Sequence, residues 1–250
     1  VTTERVVLHV RLDTPVGPIE GDVQVDPGPT RLVELVPLVQ SLASVLVGRA
    51  LARDAARGNC VSCKAGCGAC CRQLVPLSAP EAFLVADRVA SLPEPRRSLV
   101  RERFTAAHDV FAAHELFQVL DGELAELTTH RARFDAVAAA YFRRAVACPF
   151  LEEESCSIHP ERPITCREYN VTTPAAWCAE PSAYPIRLVP TPPSLAPALA
   201  RTTAALTGEP VRLIPLAFAL DWADRHAALG ARTWPGVQLF ETLCGELARL

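Results

Sequence analysis

The 250-residue sequence contains no methionine, a single lysine (Lys64) and few aromatic residues, 6% in all. With lysine almost missing, arginine carries nearly the whole positive charge. Together with many Ala, Pro and Val, this is the bias of a GC-rich bacterial coding sequence. No run of about 18 uncharged apolar residues occurs, so no membrane-crossing helix is expected. Val1 to Asp13 alternates and carries charges, so neither a secretory leader nor a lipidation box is expected. A net charge of −3 at pH 7 gives no general pull toward nucleic acid or acidic membranes. Half of the residues are hydrophobic, too many for an intrinsically disordered chain. The unusual abundance is ten cysteines. Without a leader, they point to metal or redox chemistry in the reducing cytoplasm rather than to a disulfide framework.

Residues 4–12 and 19–25 alternate apolar and polar positions around a turn-rich Thr14-Pro15-Val16-Gly17-Pro18, which predicts a β-hairpin. Residues 1–28 are read as a hairpin extension, and 29–250 as one helical domain. From Thr30 to Arg57, Leu32, Leu35, Val36, Val39, Leu42, Leu46, Val47 and Leu51 fall at helical spacing, with Pro37 kinking or restarting the helix and Gly58-Asn59 stopping it. Ser78-Ala-Pro-Glu81 is a capping box opening a helix to about Leu92. Further helices are predicted over 95–120, 123–146, 194–207, 214–228 and 236–249. The prediction is a mainly α fold: an irregular helical domain with a small N-terminal hairpin and a long cysteine-rich loop region.

The cysteines form two blocks, within 58–72 and 148–178. The first reads Cys60-Val-Ser-Cys63-Lys-Ala-Gly-Cys67-Gly-Ala-Cys70-Cys71. Short spacers let one loop turn several sulfurs toward a common centre, with Gly66 and Gly68 supplying backbone freedom. Crowded thiolates repel each other, and a metal removes that cost. Adjacent side chains diverge, so Cys70 and Cys71 fit better if one of them bridges or serves a second centre. The second block holds Cys148, Cys156, Cys166 and Cys178 at spacings too long for one knuckle. They suit a loop that folds back over a site begun elsewhere. Cys63, Cys67, Cys70, Cys71, Cys148, Cys156, Cys166 and Cys178 are therefore the candidate metal ligands. Cys244 reads as a packed helix thiol, and the role of Cys60 stays open.

Cys63-x3-Cys67-x2-Cys70-Cys71-Arg72, followed by Cys148-Pro-Phe-Leu, Cys156-x-Ile-His159, Arg162-Pro163 and Cys166-Arg167, resembles the YkgJ-type cysteine-cluster proteins over about residues 58–180. The resemblance implies a zinc- or iron-chelating CxxCxxCC domain. The family pattern has two residues between its first cysteines, whereas three separate Cys63 from Cys67; Cys60 and Cys63 have the two-residue spacing. Some relatives are described as flagellin lysine N-methylases, so the resemblance also admits an S-adenosylmethionine-linked enzyme. A third reading is an interaction protein stapled by zinc.

No histidine pair at ligand spacing accompanies the cysteines, which favours an all-thiolate site for zinc or an iron–sulfur cluster. The adjacent pair and the uneven spacers favour iron–sulfur, of the 4Fe–4S type. Cys63-x3-Cys67-x2-Cys70 also has radical-SAM spacing. Long helices follow it instead of strand–helix repeats, and Ala69 stands where an aromatic residue is usual. Around the cysteines, Lys64 is expected to face solvent, with offsetting thiolate charge as the alternative, and Arg72, Arg162 and Arg167 are expected to pair with negative charge or with acids such as Glu161 and Glu168. His159 is expected as a hydrogen-bonding loop residue, and Tyr169 and Trp177 as apolar caps. Glu152-Glu153-Glu154 is expected as a solvated loop.

Overall fold

The computed structural model describes residues 4–64, 66–114, 116–127, 130–192 and 194–250. The hairpin forms as the alternation requires. β1 (Val6–Leu12) pairs antiparallel with β2 (Ile19–Val25), Val10 opposite Gly21 and Leu12 opposite Ile19. A three-residue strand, β3 (Pro29–Arg31), follows. The predicted first helix divides at Pro37. A tight turn, Leu32–Leu35, precedes α1 (Val36–Ala55), with the proline in the first turn, where its missing N–H is harmless. Gly58 then takes a left-handed φ of 85° and turns the chain toward the cysteines.

β4 (Pro76–Leu77) leads into α2 (Ala79–Ala90), whose Ser78 and Glu81 make the expected capping box. α3 (Arg96–Ala112) ends earlier than the periodicity suggests. Leu116–Leu127 forms short helical turns with a wider π-type stretch at Val119–Glu123, and α4 spans Arg131–Phe142. The helices expected over 95–120 and 123–146 cross Glu115, Thr128 and Thr129, which lie outside the described residues. The cysteine-rich region contains a two-residue hairpin, β5 (Leu151–Glu152) with β6 (Ser155–Cys156), and a short helix, α5 (Ile164–Glu168). Beyond it come α6 (Ala196–Thr207), β7 (Ile214–Pro215), α7 (Ala219–Arg225), β8 (Thr233–Pro235) and α8 (Gly236–Leu247). The helix expected over 214–228 is corrected here. Its first two residues pair with β4 instead, Ile214 opposite Leu77 and Pro215 opposite Pro76, and the helix proper is α7.

Two hydrophobic cores result. One joins α2, α3, the Leu116–Leu127 turns and α7 around Phe111, Leu120 and Phe218, with Phe111 stacked on Tyr141 at 4.3 Å. The other joins α1, α6 and α8 around Val39, Leu199, Leu239 and Leu243. Each fully buried leucine or phenylalanine contributes about 1.5–3 kcal/mol. The hairpin lies on the second core through Leu12, Val16 and Ile19. Arg49 and Arg53 of α1 donate to the carbonyls of Pro18 and Pro15 at 2.7 and 2.9 Å.

The expectation that no helix suits a membrane needs correction. Leu32–Ala55 has an 18-residue window of mean hydropathy 1.6 and is long enough to cross one. The polar residues Gln40, Ser41 and Ser44 interrupt its apolar run without lowering the average enough. In this fold Val36, Val39, Ala43, Leu46 and Ala50 of that helix are buried against the second core or its neighbours.

Gly236 joins the two ends of the chain. Its N–H donates to the carbonyl of Gly28 at 3.0 Å. A Cβ there would lie 1.9 Å from the carbonyl oxygen of Asp26 and 2.8 Å from Oγ1 of Thr30. Gly236→Ala is expected to lower stability by about 3 kcal/mol through overpacking. The check is a shifted denaturant midpoint at unchanged slope.

Candidate metal centre

The first cysteine block is a loop pinned at both ends. At its start, the N–H of Ser62 donates to the carbonyl of Val171 at 2.9 Å, and the N–H of Val171 donates to Sγ of Cys63 at 3.5 Å. Gly66 takes a left-handed φ of 77°, which folds the loop back on itself. The tight turn Ala69–Arg72 then presents Cys70 and Cys71.

The second block closes over the first. The N–H of Cys148 donates to the carbonyl of Cys71 at 2.7 Å, joining residues 77 positions apart. The β5–β6 hairpin carries Cys156 and turns through Glu153 and Glu154, both with positive φ. Its contact with the first block depends on Gly68. A Cβ at that position would meet Cδ1 of Leu151 at 2.6 Å, Oε2 of Glu154 at 2.7 Å and Cα of Glu154 at 3.1 Å. Gly68 does not adopt a left-handed backbone, so its role is close approach rather than the freedom expected of it. Arg72 secures the same contact, donating to Glu154 at 2.7 and 3.1 Å and to the carbonyl of Gly68 at 3.1 Å.

Cys166 reaches the site on α5, and α5 is held by Glu81. This carboxylate is 2% exposed. One oxygen accepts from the N–H and hydroxyl of Ser78 at 3.0 and 2.8 Å, and the other accepts from the N–H of Ile164 at 2.9 Å. Burial raises its pKa, and these donors oppose the rise. Thr165 adds a bond from its hydroxyl to the carbonyl of Pro76 at 2.9 Å. Ile164 belongs to the second core while Cys166 packs against the first, so α5 lies where the two cores meet. The capping box is visible in the sequence, but the reach of its glutamate to a segment 83 residues away is not.

All eight candidate cysteines line one cavity of about 440 Å³, with Lys64, His159, Arg162 and Tyr169 among the other lining residues. Cys60 and Cys244 are not among its lining residues; Cys244 lines a separate groove between the hairpin and α8. Burial pushes the thiols of Cys148 and Cys178 up to about 12 and 11, and raises those of Cys63, Cys156 and Cys166. Cys70 is the exception. Cys71 donates its S–H to it and Arg162 adds positive charge, so its pKa falls while that of Cys71 rises. Most of these thiols are thus held neutral by burial and by one another, the condition that a soft cation reverses. The donor set fits zinc or iron by its chemistry. Among the described residues, no three His, Cys, Asp or Glu side chains are gathered tightly enough to hold a metal ion as they stand. The sulfurs surround a space rather than a point.

Several expected partners differ. Arg72 pairs with Glu154, and Arg96 and Arg103 pair with Glu152, so this acidic run braces the site instead of standing free in solvent. Glu161 pairs with Arg88, and Glu168 accepts from the N–H of Leu195 at 3.0 Å. Arg167 donates to the carbonyl of Arg162 at 2.9 Å, shaping the loop. His159 does hydrogen-bond within its loop, to Arg162. Tyr169 lines the cavity and its hydroxyl accepts from Nε2 of Gln73 at 3.0 Å, whereas Trp177 stacks on Tyr184.

Residues 62–183 match the family model CxxCxxCC, described as "Putative zinc- or iron-chelating domain". No curated protein and no solved structure matches the chain. The matched segment begins at the residue that pins the first block and ends just past Cys178, so it takes in every thiol of the cavity. Over residues 62–183, just under half of its length, the chain is similar to the CxxCxxCC domain family.

Proposed function

We propose that the protein is an iron–sulfur protein acting in the cytoplasm, its cluster chemistry held by the cysteines of the shared cavity. The observation that carries this reading is the convergence of eight thiols from two distant blocks on one space. A lone zinc ion asks for four donors about 2.0–2.3 Å from a single point. The spread of sulfurs around the cavity suits a polynuclear group better. When bound, a cluster supplies one-electron transfer at a potential set by its thiolates, hydrogen bonds and exposure. The chain's own part is to supply the thiolates, donate hydrogen bonds such as that from Val171 to Cys63, and place Arg162 and Lys64 beside the negative charge.

Anaerobic purification followed by iron, sulfide and zinc analysis tests this. The expected product is brown, with iron and acid-labile sulfide in equal amounts. A colourless protein carrying stoichiometric zinc overturns it.

A further inference from the structure

A second cavity, of about 410 Å³, lies between α1, α2 and the second cysteine block, and no cysteine is among its lining residues. Its size falls within the range of small-molecule sites, about 300–1,000 Å³. Leu84, Val85, Phe150 and Ile158 give it an apolar wall. Phe150, Ile158 and Pro163 also line the cysteine cavity, so the two spaces stand back to back.

The charges on this lining do not balance. Those exposed at its mouth are paired, Asp87 with Arg31 at 3.7 Å and Arg88 with Glu161. Glu81 also lines the cavity but is buried, and its three donors, the N–H and hydroxyl of Ser78 and the N–H of Ile164, are all neutral. Arg167 acts on it only through its field. Among the described residues, the carboxylate therefore has no cation in contact. An ionised carboxylate offers about four acceptor positions, and these donors take three of them. Gln40 spends its amide N–H groups on the carbonyls of Glu161 and Arg162 at 3.2 and 3.3 Å, which leaves its oxygen as the group it can offer. An apolar lining, equipped with acceptors and short of one positive charge, is complementary to an ammonium on an apolar body. Folding has already taken Glu81 out of water, so binding costs the desolvation of the ammonium alone.

We propose that this cavity binds a small organic amine, its ammonium donating to Glu81 and its apolar part resting against Leu84, Val85, Phe150 and Ile158. The site goes beyond the metal-binding reading and does not depend on it.

The test uses phenethylamine, phenethyl alcohol and hydrocinnamate, which share an aromatic ring on a short chain and differ in charge. Each is titrated into the full chain as purified, with methyl NMR as the readout. Phenethylamine is expected to bind with a dissociation constant of about 1 mM or tighter and to shift the methyls of Leu84, Val85 and Ile158. The alcohol and the acid are expected to bind at least about tenfold more weakly. Glu81→Gln should weaken phenethylamine to the level of the alcohol. Asp87→Asn removes a carboxylate already paired with Arg31 and should change binding by less than about threefold. The proposal is overturned by an acid that binds as tightly as the amine, by methyls that stay unshifted, by shifts confined to the hairpin groove around Leu12 and Ile19, or by equal losses in the two variants. If Glu81→Gln loses its far-UV circular dichroism, the ranking of the three probes on the wild type decides.

Discussion

Glu81→Ala is expected to lower stability by about 3–5 kcal/mol. It removes the acceptor for three buried donors, the N–H and hydroxyl of Ser78 and the N–H of Ile164. Each buried donor left without a partner costs about 1–3 kcal/mol, reduced where the backbone relaxes. Glu81→Gln separates the hydrogen bonds from the shape. Its amide keeps one acceptor but must point an NH₂ at one of the donors, so a smaller loss of about 1–3 kcal/mol is expected. The alanine variant should also lose metal, because the start of α5 is freed and Cys166 with it. Denaturant melts of both variants with metal analysis check this. An alanine variant within about 1 kcal/mol of wild type, with full metal content, would show that Glu81 does not position the site.

Gly68→Val is expected to have the next largest effect on the cavity itself, and Gly66→Ala is its control. At Gly68 any side chain meets Leu151 and the backbone of Glu154, so the two blocks must part. Overpacking of this kind costs about 1–3 kcal/mol, and metal content should fall to half or less. A Cβ added at Gly66 would meet nothing within 4 Å, but the residue carries a left-handed φ. Alanine there should cost about 1 kcal/mol through backbone strain alone and leave metal content intact. Equal metal loss in the two variants would refute the assignment of close approach to Gly68.

The contrast between these glycines shows what the sequence can tell. Both stand out in the cysteine loop, and the spacing suggests a need for backbone freedom at each. Only Gly66 has the conformation that justifies that reading. The demand on Gly68 comes from a hairpin more than 80 residues away, which no local pattern reports. The same holds for Glu81. Its capping role is written in four consecutive residues, whereas its bond to Ile164 exists only once α2 and α5 are folded together. The hairpin, the division at Pro37 and the helices over 79–90, 196–207 and 236–247 are legible because period and caps are local signals. Residues 214–215 are not, since Ile214 and Leu216 continue a helical spacing and only pairing with Pro76 and Leu77 makes a strand of them. The eight cavity thiols are legible as a set from their type and spacing. Which of them rest on the first core is not, because that packing exists only in the folded chain. The acidic run at 152–154 looks solvated in sequence for the same reason: its arginine partners lie on α3 and in the first cysteine block.

The arginine-for-lysine bias has a practical outcome at the cavity. Lys64 is the chain's one lysine, exposed within the loop between Cys63 and Cys67. A protease that cuts only after lysine therefore has one place to act, inside the first cysteine loop. The rate of that single cleavage becomes a gauge of how firmly the loop is held, readable on a gel.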